Sequence, residues 1–319
     1  MKRLLLALLA ALLAFAAPLA QGDGPGDEIR FTLRDELLRL INRDRAQFGM
    51  KPVALDPVAS ALADEYCHKQ IHNGTTGHFT LDGLAPYMRY SLSGGNDGVS
   101  ENVAAWSANY SFGDRALYDM MRRSEQAMMA EAAPHDGHRR TILDPFATHV
   151  GIGLAWEAGE FRIAEEFIRR YVEWTRPLPR NATPADRVML RVKPHNGYAV
   201  EAITVHHEPL PKSMSAKLAN DISSYALPEK RREYLPKLHD RVERTERYRR
   251  EVREEYSDGS HGDFDVADDG SVNFAVPFPD GPGVYTVVVW VHGRTHEPIA
   301  ASNVSVRVAE AATAVGGTR

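Results

Sequence analysis

Apolar residues recur at helical spacing through the first half of the chain. From Asp27 to Phe48 the positions Ile29, Leu33, Leu37, Leu40, Ile41 and Phe48 approximate one helix face, and Gly49 supplies the stop. Asp56-Pro57 offers a second helix an N-cap followed by proline in its first turn, with Val58, Ala61, Leu62, Ala63 and Tyr66 as its apolar face. A third run, Ser111 to Ala132, turns Leu117, Met120, Met121 and Met128 inward. The period then changes. Val150-Gly-Ile-Gly-Leu154 and Phe161-Arg-Ile-Ala-Glu-Glu-Phe167 alternate on either side of Trp156-Glu-Ala-Gly159, the pattern of a β-hairpin.

The second half reads differently. A proline-rich segment, 176–187, is expected to be a semi-rigid linker. Beyond it, Val188–Val192, Ala199–Val205, Phe264–Val266, Val272–Val276, Val284–Val291 and Val304–Val308 predict short strands separated by turn residues. Such spacing predicts an immunoglobulin-like β-sandwich over 188–310, followed by a flexible tail, 311–319. A helical insertion is expected over about 213–256, because Leu238, Val242, Thr245, Tyr248, Val252 and Tyr256 fall at helical period. Asp240/Arg244, Glu243/Arg247 and Glu246/Arg250 would then pair at i,i+4. Asp258, Asp263, Asp265, Asp268 and Asp269 lack calcium-loop spacing and read as turn carboxylates.

Composition narrows the function classes. The 319 residues are 43% hydrophobic and 25% charged, with a formal charge of −5. No basic tract or phosphate loop calls for nucleic acid as a partner. Lys2-Arg3 followed by Leu4 to Ala14 reads as a secretory signal over 1–20, with cleavage after Ala16 or Ala20, and the apolar run is short for a membrane span. A secreted, periplasmic or cell-envelope location follows, with no transmembrane segment expected in the mature chain. Cys67 is the one cysteine, so no intrachain disulfide forms, and its helical context predicts a buried, inert thiol.

The candidate chemistry lies between His78 and His138. Gly77-His78-Phe79, Ser100-Glu101-Asn102-Val103-Ala104, Met128-Met129-Ala130-Glu131 and Gly137-His138-Arg139-Arg140-Thr141-Ile142-Leu143 bring two imidazoles and two carboxylates into play. These are zinc ligands and acid/base groups alike, too far apart in sequence for a local loop site. Glu131 is expected at a helix C-terminus, where the dipole disfavours a carboxylate, and that misfit points to a site role. Glu125 is the competing acid. His68 and His72, four apart, read as surface histidines; His135 is expected to be exposed and His149 to begin a strand.

In order and wording these boxes resemble the CAP superfamily of cysteine-rich secretory, antigen and pathogenesis-related proteins, in its bacterial form. Val150-Gly151-Ile152-Gly153, Leu40-Ile41-Asn42-Arg43-Asp44-Arg45 and the Gly83-to-Arg89 element extend the likeness over roughly residues 30 to 175. Met128 stands where the family's disulfide-bearing members carry Trp, and Glu165 or Glu166 where it usually has Gln. The resemblance implies an α+β chain whose first domain, 27–175, is a three-layer α–β–α sandwich. It also implies that His78, Glu101, Glu131 and His138 line a cleft for a divalent cation, zinc first, and for a lipid-like or cell-envelope ligand. The alternative is a metal-dependent peptidase or esterase in which Glu101 and His138 do the chemistry. No His-Glu-x-x-His helix or Gly-x-Ser-x-Gly elbow accompanies them.

Overall fold

The structure is a computed structural model that describes residues 25–310 apart from 240 and 245–248; side chains at 25–27 and 241–252 are not described. The expected signal segment, 1–20, and the tail, 311–319, lie outside the described residues.

The first body runs α1 (Pro25–Gln47), β1 (Ala54–Leu55), α2 (Pro57–Asn73), α3 (Pro86–Leu92), β2 (Gly98–Ser107), α4 (Asp114–Met129), α5 (Gly137–Ile142), β3 (His149–Glu157) and β4 (Glu160–Arg169). Its four strands lie in the order β1-β3-β4-β2, with helices on both faces. Val150, Ile152 and Leu154 of β3 point to one face, where they join Leu33, Leu37 and Ile41 of α1 and Leu117 and Met121 of α4 in one core. The alternate positions are glycines. A Cβ on Gly151 would meet the Ala59 side chain at 2.5 Å, and one on Gly153 the Ala63 backbone at 2.2 Å, so the bare strand lets α2 lie directly on the sheet. At the β3–β4 turn Ala158 and Gly159 have φ of 45° and 84°, the left-handed pair of a two-residue hairpin.

The chain leaves that sheet at Arg169. β5 (Val172–Arg176) pairs with β7 (Val188–Pro194), and β6 (Asn181–Ala182) with β15 (Val304–Val308). The expected linker therefore starts inside a strand of the second body and is pinned along its length. Arg180 Nη2 donates to the Gly95 carbonyl at 2.8 Å and to Asn96 Oδ1 at 2.6 Å. β8 (Ala199–Glu208), α6 (Ala216–Asp221), β9 (Arg231–Tyr234), β10 (Arg241–Arg244), β11 (Arg249–Val252), β12 (Val272–Val276), β13 (Gly283–His292) and β14 (Pro298–Ala300) complete it. A three-stranded sheet, β12-β7-β5, and a larger one along β6-β15-β13-β8-β9 close on a shared apolar core built on Leu190, Val192, Ile203, Phe274, Tyr285 and Val306.

The expected helical insertion is not what forms. Among the described residues its helical part is α6, six residues long, and 241–244 pair with 249–252 in an antiparallel ladder with Glu243 opposite Arg250 and Val242 opposite Glu251. The charge spacing that suits i,i+4 pairing also suits cross-strand pairing, and Val242 and Val252 favour extended backbone. Phe264–Val266, expected as a strand, makes isolated bridges only, Pro236 to Phe264 and Val266 to Val272.

Between β8 and β9 the chain, 209–230, leaves the second body and lies across the first. Leu81 accepts from the Met214 N–H at 2.8 Å, and Asn220 Oδ1 accepts from the Thr76 N–H at 2.8 Å. Asn220 also donates Nδ2 to the Gly74 carbonyl at 3.1 Å. A Cβ on Gly77 would meet the Ala219 carbonyl oxygen at 2.9 Å, so this strap and the loop before His78 touch backbone to backbone.

Candidate functional site

His78 is delivered by the irregular stretch that follows α2. The helix begins on Asp56, whose Oδ1 accepts from the Ala59 N–H at 2.8 Å, and ends on Gly74 in the left-handed region. Two of its side chains then hold the turn: Tyr66 Oη at 2.5 Å and Gln70 Nε2 at 2.8 Å both donate to the Gly77 carbonyl. Cys67 beside them is fully buried, and burial pushes its thiol well above the usual range, so it is no nucleophile. His68 and His72 on the same helix are exposed.

β2 presents adjacent polar residues to opposite faces of the sheet, as period-two geometry requires. Glu101 lies opposite Glu166, and Asn102 opposite Glu165. On the α2 side, Glu101 Oε1 meets His78 Nδ1 at 3.0 Å and its Oε2 accepts from Arg89 Nη2. Arg89 also reaches Glu166 at 3.4 Å and sits 3.5 Å over the Tyr66 ring. Burial, opposed in part by Arg89, pushes Glu166 up to about 7.

On the other side, Asn102 Nδ2 donates to Glu165 Oε2 and to the His138 carbonyl, both at 3.2 Å. Behind them is Glu125, buried, with neither carboxylate oxygen accepting a hydrogen bond. Burial first, then the charges of Glu165 and Asp44, drives it up, and burial drives Glu165 up as well. Two buried carboxyls so close to one another disfavour ionisation together. Glu125 thus belongs to the wall behind the site.

Glu131 lies just past the end of α4 and at the start of α5. Its Oε2 accepts from the His138 N–H at 3.0 Å, and its Oε1 meets His138 Nδ1 at 2.5 Å. The carboxylate that misfits one helix end thereby serves the next, where amide hydrogens face it. Asp136 and Arg140 pair across α5 at 3.3 Å, Arg169 and Asp144 beside it at 2.6 Å. His135 is exposed, and His149 opens β3.

His78, Glu101, Glu131 and His138 all line one open cleft of about 1100 Å³. They stand there as two His–Glu pairs, each carboxylate on its own imidazole's Nδ1. Neither Nε2 takes a hydrogen bond among the described residues. The pairs differ in access: the His78 side chain is 8% exposed, that of His138 35%. Zinc takes three or four protein ligands, and among the described residues no group of three or more His, Cys, Asp or Glu could hold a metal ion. As placed, the four residues do not fit the expected zinc centre, because both carboxylates are spent on orienting and neutralising their neighbours.

One wall of the cleft comes from the strap. Ser223, Ser224 and Tyr225 line it. Tyr225 sets its ring edge against His78, centroids 4.9 Å apart, and its hydroxyl oxygen accepts from the Glu101 backbone N–H at 2.5 Å. Nothing in the sequence marks these three. They sit in a polar loop some 120 residues from the Glu101 box, and only the docking of the two bodies reveals them.

Residues 38–161, most of the first body, match the model of the cysteine-rich secretory protein family, CAP. Among solved structures the chain is similar to an extracellular protein containing an SCP domain from Bacillus anthracis, at 16% identity and a TM-score of 0.35, over 47% of this chain. The match spans 45% of that protein's length. It is also similar to an outer surface protein from Borrelia burgdorferi, at 16% identity and a TM-score of 0.36, over 44% of this chain and 93% of that one. No curated protein matches. Among the described residues no helix is long and apolar enough to cross a membrane.

Proposed function

We propose that this is an exported protein whose cleft binds a polar ligand of the cell envelope and works by holding that ligand rather than by turning it over. Export is supported by the leader-like pattern at Lys2–Ala20 and by the secretory family matched over 38–161. The observation that carries the binding reading is the state of Glu101. A general base needs a lone pair free to take a proton, whereas Glu101 is fully buried and gives one oxygen to Arg89 and the other to His78. The hydrolase alternative, with Glu101 and His138 as its working pair, requires Arg89 to let go first.

A lipid tail calls for an apolar slot. The walls here are mainly hydroxyls, an amide and charged side chains, with only Pro134, Leu143 and Pro145 as scattered apolar patches, which favours a polar ligand. The second body, which we read as an immunoglobulin-like sandwich, serves as the platform from which the strap reaches the cleft.

The test is equilibrium dialysis of the purified chain against solubilised envelope fragments, beside assays on broad peptide and ester libraries. Retention of fragments by the wild-type protein and their loss from His138→Ala, with no turnover in the libraries, is the expected result. Turnover that disappears in Glu101→Gln overturns it.

A further inference from the structure

Resting on the reading of the cleft as a polar binding site, we infer that its ligand is a neutral, polyhydroxylated saccharide and that the strap residues Ser223 and Ser224 help select it.

The charge pattern carries the first half. Most charged groups that face the cleft already have partners: Glu101 pairs with Arg89, Asp136 with Arg140 and Asp144 with Arg169, while Glu131 is hydrogen-bonded by His138. Arg139 is tied too, donating Nη1 to the Glu131 carbonyl at 3.3 Å with its guanidinium 5.0 Å from the Phe48 ring. A phosphate or an anionic headgroup is recruited by a cluster of unmatched cations, and among the described residues Arg139, turned onto the Glu131 carbonyl and the Phe48 ring, is the one arginine of the lining without a carboxylate partner. What retains hydrogen-bonding capacity is uncharged. The Ser223 and Ser224 hydroxyls are exposed and make no hydrogen bond among the described residues, and the two imidazole Nε2 atoms are likewise unpartnered. Hydroxyl and ring nitrogen can each meet a sugar hydroxyl, while Pro134, Leu143 and Pro145 offer apolar patches to the C–H faces of pyranose rings. A volume of about 1100 Å³ lies just above the usual range for small-molecule sites, room for several sugar units.

The strap carries the second half. It is fixed on the first body from Met214 to Tyr225, so its serines are held in place over the cleft rather than swung in on a free loop. A preorganised wall loses little ordering entropy when a ligand docks. Tyr225 is the positioning residue: it pins the strap to the Glu101 backbone and covers His78, which leaves the His138 end open.

The full chain is titrated calorimetrically with a neutral N-acetylhexosamine tetramer and, separately, with vesicles of anionic phosphatidylglycerol. The same titrations are run on Ser223→Ala/Ser224→Ala and on His138→Ala, with thermal melts to confirm that each variant folds. The tetramer should bind the wild-type chain and bind the double serine variant at least fivefold more weakly, about the worth of one neutral hydrogen bond. Vesicles should not bind. Tetramer binding weakened by His138→Ala but unchanged in the serine variant overturns the strap's role and leaves the cleft reading intact. Vesicle binding sensitive to His138→Ala, with no tetramer binding, overturns the saccharide and again spares the cleft. Tetramer binding indifferent to both variants, or absent along with vesicle binding, overturns the inference.

Discussion

Arg89 donates to the carboxylate of Glu101 from a position stacked on the Tyr66 ring, deep between α2 and the sheet. The two residues are twelve apart in sequence, the Glu101 side chain is fully buried and that of Arg89 is 10% exposed, so each is the other's main neutralising charge. Taking one buried charge from such a pair costs more than taking both, because the survivor keeps its desolvation penalty and loses its partner.

Arg89→Met should therefore destabilise the fold by about 3–5 kcal/mol, and Arg89→Met/Glu101→Gln by clearly less. Urea denaturation of Arg89→Met, Glu101→Gln and the double variant beside wild type measures it. A double variant as unstable as the sum of its singles would mean that the two side chains do not act as a pair.

The Glu125–Glu165 wall predicts a pH slope. Both carboxyls are raised in the folded state, so across the window between their ordinary values and their raised ones the folded chain binds more protons than the unfolded chain. Stability then falls as pH rises through that window. Glu125→Gln keeps the shape and removes the proton exchange. The variant should gain on wild type by on the order of 1–3 kcal/mol between acid and mildly alkaline pH. Parallel slopes for the two proteins, followed by chemical denaturation across pH, would show that the buried Glu125 carboxyl does not set the slope.

Much of the first body was legible in the sequence because its signals are local. The apolar face of α1, the Asp56-Pro57 cap, the Val-Gly-Ile-Gly strand and the Ala158-Gly159 turn each encode their own geometry. The 241–252 stretch misled because alternating Arg and Glu satisfy a helix face and a two-stranded ladder equally well. The site was half legible. The positions of His78, Glu101, Glu131 and His138 along the chain place them at one cleft. Their partners were not foreseeable from spacing: Glu101 goes to Arg89 because β2 turns it toward α2, and Tyr225 arrives from another body.

Gly153 tests the contact that carries His78 indirectly. A Cβ there would lie 2.2 Å from the backbone of Ala63, where no flexible side chain can yield, so α2 would have to lift from β3. Gly153→Ala should cost about 1–3 kcal/mol in stability and loosen the hold of Tyr66 and Gln70 on the Gly77 carbonyl. Hydrogen exchange at residues 75–80 should accelerate beyond the change at the second body's strands. Equal acceleration everywhere would show only global destabilisation.

Zinc titration asks whether the two His–Glu pairs ever act as one centre. Each carboxylate sits on an Nδ1, which fixes the tautomer of its ring and leaves Nε2 as the atom able to ligate. Two such nitrogens fall short of the three or four protein ligands of a zinc site. Their affinity should fall well below the ~10–16 kcal/mol of structural zinc at neutral pH. Calorimetry of the wild-type chain should show weak binding that His138→Ala, at the open end, abolishes. Tight, stoichiometric zinc lost in both His78→Ala and His138→Ala would mean that the carboxylates release their imidazoles to join the metal, and that the paired arrangement is a resting state of a true four-ligand centre.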